Sequence, residues 1–342
     1  MKKLRVLVLM HEDLVPPDSL DGYDPKEIAE WKVEFDVVQG LRELGHEVFP
    51  LGVTDELGPI RLAIQSWKPH IAFNLLEEFH GVGVYDQHVV SYLELMKLPY
   101  TGCNPRGLTL THDKPLMKKI LNYHRIPTPR FGTIPLGRKF RGTPKQLKYP
   151  LLIKSAVEDA SLGISQASVV HNDEKLAERI EFIHKNVHTE ALVEEFIAGR
   201  ELYVGVIGNQ RLSTFPIWEM LFTKMPDDLA HIATARVKWD PKYQKKHGIV
   251  TAAAKELPEE VEARIVKICK RAYRVLSLSG YARMDLRLTE DDKIYLIEAN
   301  ANPNLEFGED YAESAETVGV SYTELLQRIL NLGLRYRAAW QA

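Results

Sequence analysis

Cysteine is scarce: Cys103 and Cys269 are the two in 342 residues, far apart and without Cys-x-x-Cys spacing. That excludes a disulfide framework and a cysteine zinc site, and it fits a reducing cytoplasm. Long apolar runs are missing too, so no segment can serve as a membrane span. Lys2, Lys3 and Arg5 precede an apolar stretch, residues 6–10, that is too short for a signal peptide and reads as a first strand. Charge of one sign is not in excess. A formal net charge of -3 gives no pull towards nucleic acid or anionic membrane. There is no internal repeat, no low-complexity tract and no Gly-x-x-x-x-Gly-Lys-Ser/Thr phosphate loop. What is present, 45% apolar and 27% charged residues, describes an ordinary globular chain long enough for two or three domains.

The pattern begins as α/β. Residues 4–10 are nearly continuously apolar, as in a strand buried on both faces. A loop rich in Asp and Pro leads to a helix over 26–44, with Ile28, Trp31, Phe35, Val38 and Leu41 at helical spacing and Gly45 as its stop. Strand 48–51, helix 59–67 and strand 69–74 complete a doubly wound parallel start. Ligands gather at the carboxyl ends of such strands, here the loops after Met10 and Phe73. A helix over 87–96 and another from about 111 to 123 follow. The second half reads as α+β, with strands at 149–154, 191–196 and 201–207 and helices at 173–185, 258–276 and 322–334. Residues 223–247 are polar and lack periodicity, which predicts a lid or disorder. The expected domains are 1–110, 111–209 and 210–342.

The chemistry concentrates in 281–304. Alternation in 282–288 and an apolar run at 294–297 predict two strands, and 289–293 a hairpin turn between them. Pairing them brings Asp285 near Glu298, while Glu298 and Asn300, two apart, share a face. Two carboxylates and an amide oxygen are hard ligands that suit Mg²⁺ and leave room for water and phosphate. The plainer alternative is a surface hairpin with scattered acids, but Asn300-Ala301-Asn302-Pro303-Asn304 is an odd choice for a mere turn. Upstream, the strand ending in Lys154 runs into a loop of small residues holding Ala160, Ser161 and Gly163. Backbone N–H groups there can approach phosphate oxygens closely. Taken alone, that loop reads more readily as a plain hairpin connection.

These motifs together resemble the ATP-grasp superfamily: the IEANANPN stretch, the lysine strand with Ser161-Leu162-Gly163, and EEFIAGRE. PYTG followed by HDK narrows the resemblance to the D-alanine–D-alanine ligase-like branch, over nearly the whole chain. The resemblance implies an ATP-grasp fold behind an N-terminal doubly wound domain, ATP as cofactor, and two Mg²⁺ ions with Mn²⁺ as an alternative. It implies a carboxylate activated as an acyl phosphate and attacked by an amine. Lys114 and Lys154 then match the nucleotide lysines, and Ser161, Leu162 and Gly163 the phosphate-covering loop, Ser161 also entering the catalytic set. Glu194, Glu195, Phe196 and Ile197 match the adenine-edge segment, and Glu201 the ribose carboxylate. Lys238 matches a lid lysine over the γ-phosphate and Arg283 the arginine on the acyl phosphate. Asp285, Glu298 and Asn300 match the metal ligands. Small carboxylates and amines are the expected partners, without nucleic acid or membrane, in a cytoplasmic homodimer.

Two places depart from the family. The first loop is longer and more acidic, with Glu12 the nearest candidate to hold the amino group of the acid substrate. After the metal motif, Glu309 and Asp310 stand where the family meets a substrate carboxylate. They would repel one and favour an amine that is cationic or lacks a carboxylate there, unless they simply face solvent. The reading from another class is an ATP-binding sensor or scaffold that does not ligate. The complete polar set, Arg283 included, argues against it.

Overall fold

Val6 to Met10 are wholly buried because β1 (Arg5–His11) lies between two parallel neighbours, β2 (Glu47–Val53) and β3 (Ile71–Asn74). A computed structural model describes residues 3–140, 142–143, 146–157, 163–226 and 229–338. Along β1, Leu7 and Leu9 face one core while Val6, Val8 and Met10 face another. Both faces are apolar, hence the continuous run in the sequence.

The helix expected over 26–44 is two helices, α1 (Pro25–Glu30) and α2 (Lys32–Glu43). Asp24 caps the first, in a reciprocal capping box with Glu27. Trp31, at φ -125°, breaks the run and packs edge-on to Tyr23 at 5.4 Å. Periodicity could not register this, because α2 starts at once from Trp31, whose carbonyl accepts its first bond from Phe35 N. Next come α3 (Gly58–Trp67) and α4 (Asp86–Leu95). An unforeseen α5 (Pro105–His112), capped by Asn104, precedes α6 (Lys114–Tyr123).

The second sheet is antiparallel. Its strands are β4 (Phe131–Ile134), β5 (Leu151–Ser155), β6 (Val169–Val170) and β7 (Ala191–Glu195), in the order β4-β7-β5-β6. Leu151, Ile153, Ala191 and Val193 pack on Leu176 and Ile180 of α7 (Asp173–Phe182). The helix expected to reach 185 changes to a wider π turn at Ile183–Val187.

The third sheet comprises β8 (Arg200–Ile207), β9 (Ser213–Thr214), β10 (Trp218–Phe222), β11 (Ile249–Ala253), β12 (Tyr281–Leu288) and β13 (Ile294–Ala301). Its order is β11-β10-β8-β12-β13, with β9 beside β8. By strand pairing β8 therefore belongs with the C-terminal sheet, ahead of the expected boundary at 209. The segment 223–247, expected as lid or disorder, holds α8 (Ala235–Trp239) and α9 (Pro241–His247). Val237 packs with Tyr203, Trp218, Met220 and Ile249, so a few well-placed apolar residues suffice to fold it down.

One face of this sheet (Leu202, Val204, Ala282, Met284, Leu286, Ala299) buries Ile265, Cys269 and Ala272 of α10 (Glu259–Val275). The other face carries the polar residues Glu201, Arg283, Asp285 and Arg287, with Tyr203, Trp218 and Met220 beside them. Past β13, an unforeseen α11 (Asp310–Glu316) leads to α12 (Tyr322–Arg335). Leu325, Leu326, Ile329 and Leu330 of α12 share a core with Val6, Val8 and Phe73, so the C-terminal helix closes the first sheet. Gly333 makes that possible: a Cβ there would sit 2.3 Å from Tyr100 O. No helix among the described residues is long and apolar enough to cross a membrane.

Candidate active site

The polar face of the third sheet gathers the predicted residues, and a bulge decides how. Asp285 pairs with Glu298 and Arg283 with Asn300, as the hairpin predicts, but Leu286 pairs with Leu296. Ile297 is thus the extra residue. Without it Glu298 would share a face with Ile294 and Leu296, which point into the core. The bulge turns Glu298 and Asn300 to the polar face, the kind of re-aiming for which bulges occur beside active sites.

Arg283 donates from Nε to Asp285 Oδ1 at 2.8 Å and from Nη2 to Oδ2 at 3.0 Å. Its guanidinium lies 4.7 Å from the Tyr203 ring centroid. Although burial alone would weaken its charge, Asp285 holds Arg283 firmly protonated. Lys114 Nζ stands 3.0 Å from Glu298 Oε1. Asn300 keeps a buried Nδ2 without a hydrogen-bond partner. Two carboxylates and an amide oxygen on one face fit a divalent ion that takes few protein ligands. A carboxylate in a bidentate arginine pair still has lone pairs to offer. Among the described residues no group of three or more His, Cys, Asp or Glu could hold a metal. A site here therefore needs the amide and the substrate's own oxygens.

The facing wall comes from the second sheet and α6. Asp113 accepts from Leu116 N at 2.8 Å, and Lys114 N bonds Ala156 O, which fixes α6 against the end of β5. Lys154 Nζ lies 3.2 Å from Glu194 Oε1, and Lys118 Nζ 2.8 Å from Glu194 Oε2. Burial would raise the Glu194 carboxyl, but the two ammonium groups hold it below its ordinary value. Glu195 is engaged elsewhere, accepting from Lys148 N at 3.0 Å. Phe196 N bonds Pro150 O, and Ile197 is half-buried. Glu201 accepts from Tyr203 Oη at 2.9 Å and pairs with Arg287. Gly163, at φ +72°, gives its carbonyl to Arg179. Ser161 and Leu162 lie outside the described residues. Lys238 is half-buried on α8 and close enough to Asp310 to act on its charge.

Glu12 is exposed, and its carboxylate accepts from Thr54 Oγ1 at 3.0 Å in the loop after β2. Of the two acids after the metal motif, Glu309 is exposed, as the solvent alternative expects. Asp310 is half-buried beside Arg283 and lines a cleft with Tyr203, Trp218 and Tyr311. Burial first, then Asp285, raise its carboxyl, against Thr251 and Arg283.

Sequence reasoning missed Lys118, Arg287 and Glu34. Lys118 follows Lys114 at the i,i+4 spacing that puts two side chains on one helix face. Arg287 continues the alternation of Arg283 and Asp285. No such signal marks Glu34, which is buried and pushed up to about 7 by desolvation and by Glu77 and Glu306.

A sheet face with an arginine-clamped aspartate and hard oxygen ligands, opposite lysines on α6 and a second antiparallel sheet, defines an ATP-dependent ligase of the ATP-grasp kind. The family described as D-ala D-ala ligase C-terminus matches residues 126–331. A D-alanine–D-alanine ligase of Syntrophotalea carbinolica is 32% identical over 302 residues, 86% of this chain and 88% of that protein. An uncharacterized protein of Sinorhizobium fredii, y4sG, is 29% identical over 91% of this chain and 90% of its own length. The fold matches the crystal structure of D-alanine–D-alanine ligase from Bacillus anthracis complexed with ATP. That match has a TM-score of 0.74 at 22% identity, covering 97% of this chain and 98% of that one. The chain belongs to the D-alanine–D-alanine ligase family.

Proposed function

We propose that this ligase forms an amide between a small amino-acid carboxylate and an amine that carries positive charge rather than a second carboxylate. The observation that carries the reading is Arg283 and Asp285 in register with Asn300 and Glu298 on one sheet face. In the first step a carboxylate oxygen bonds the γ-phosphorus of ATP as the β–γ bridging bond breaks. The amine nitrogen then attacks the acyl carbon, phosphate leaves with the C–O electron pair, and the amine loses a proton.

In this reading Lys114 and Lys154 would meet the phosphates, Gly163 with Ser161 and Leu162 would serve as the phosphate-covering segment, and Lys238 would join them from 223–247. Glu194 and the backbone of Phe196 and Ile197 border the base, and Glu201 the ribose. Asp285, Glu298 and Asn300 would hold two divalent ions, Mg²⁺ or Mn²⁺, which would supply charge to neutralise phosphate oxygens. Arg283 offers a fixed cation to the oxyanion of the tetrahedral intermediate. Asp310 beside Arg283 supports the cationic amine, since a carboxylate there repels another. The two buried free thiols, Cys103 and Cys269, suit a cytoplasmic enzyme. A homodimer joined through the first domain belongs to the same reading, and sedimentation velocity tests it.

Phosphate release from Mg·ATP across single and paired amino acids and amines, in D- and L-forms, tests the proposal. Release that needs a pair, with a product mass equal to the pair minus water, is expected. Release without an amine, or a phosphorylated end product, would overturn it.

A further inference from the structure

Lys118 has no assigned part, yet it is wholly buried in the wall of the site. Its Nζ touches two different elements, Glu194 Oε2 on β7 at 2.8 Å and Ile297 O on β13 at 3.2 Å. Each contact lies one step behind a proposed site residue. Glu194 also holds Lys154, and Ile297 is the bulge residue that turns Glu298 to the polar face. Ile297 has no paired residue on β12, its carbonyl accepts from Lys118, and a buried carbonyl without a donor is costly. Lys118 supplies that donor.

The charges point the same way. Glu194 is shared by two ammonium groups, with Glu298 acting on both from farther off, so the buried triad Lys118–Glu194–Lys154 itself carries one net positive charge. Burying an uncompensated charge is expensive, and an anion against Lys154 would complete the set. Lys118 has no exposed surface with which to meet that anion.

Resting on the ligase reading above, we infer that Lys118 is a positioning residue. Its buried ammonium makes the nucleotide wall electropositive through Glu194 and Lys154, and braces the bulge that aims Glu298. It acts on phosphate without touching it. A residue that merely fills space would not care about charge, and methionine, matching the lysine stem, would serve at least as well as arginine.

The test is nucleotide binding by calorimetry to the full-length wild type and to Lys118→Gln, Lys118→Met and Lys118→Arg. Lys118→Gln keeps a donor and loses the charge. It is expected to weaken ATP and ADP on the order of tenfold, the scale of one charge in a partly screened site, while adenosine binds as before. Lys118→Arg is expected to bind ATP more tightly than Lys118→Met. If Lys118→Gln does not fold, that order alone carries the test. Wild-type ATP affinity in Lys118→Gln, an equal loss for adenosine, or methionine matching arginine would each overturn the inference. Failure of the wild type to bind ATP would instead overturn the ligase reading.

Discussion

Lys114 Nζ and Glu298 Oε1 are 3.0 Å apart across the junction between α6 and β13. One is a proposed phosphate ligand and the other a proposed metal ligand. Arg283 and Asp285 repeat the arrangement, so each carboxylate of the cluster is held by a cation with a second proposed partner, the phosphates for Lys114 and the intermediate's oxyanion for Arg283. Such pairs keep strong charges in place inside a half-buried site at tolerable cost.

Glu298→Gln keeps the shape and removes the charge at the centre of this set. ATP turnover is expected to fall by about 100-fold or more, with the circular dichroism of the wild type retained. Turnover within a few-fold of wild type would refute the assignment.

Arg283→Lys exchanges a bidentate fork for a point charge. Loss of transition-state stabilisation should lower kcat by roughly 100- to 1000-fold, with the KM for ATP changed little. A rise in KM at constant kcat would place Arg283 in ground-state binding instead.

Asp310→Asn bears on substrate choice. Its kcat/KM for a cationic amine is expected to drop about fivefold to tenfold, while amines bearing a carboxylate gain. A uniform loss across both classes would count against a role in specificity.

Glu34 predicts a pH-dependent stability of definite sign. Its folded value, about 7, lies above the ordinary 4.5, so the folded state binds the proton more tightly. Its contribution is therefore fully present below about pH 4.5 and lost as pH rises through about 7. Glu34→Gln should match wild type near pH 4 and exceed it near pH 8, by on the order of 3 kcal/mol. Urea midpoints at the two pH values measure this; equal differences at both would rule it out.

Gly333→Ala would drive a Cβ against Tyr100 O, a backbone atom with little room to move. A loss of about 1–3 kcal/mol in unfolding free energy is expected, and no loss would mean that α12 can lift off the first sheet freely.

Much of this site was legible because its signals are local. The alternation through Arg283 and Asp285 and the turn at 289–293 place those side chains on one face whatever surrounds them. The bulge at Ile297 was not legible: 294–298 reads as unbroken alternation that would put Glu298 in the core. The small apolar set of 223–247 hid α8 and α9, which turn Val237, Tyr243 and the buried His247 inward.

Residue order by itself determined β1, β2, β3, β5, β7, β8, β12 and β13 to within a few residues, since period-2 patterns and turn chemistry act locally, while β4, β9, β10 and β11 escaped it. Tertiary structure alone decided that α12 covers a sheet begun some 300 residues earlier, a distance along the chain that no local pattern spans. It alone brought Lys118 between Glu194 and Ile297. A buried charge finds its partners by three-dimensional proximity, and its sequence neighbours say nothing of who they will be.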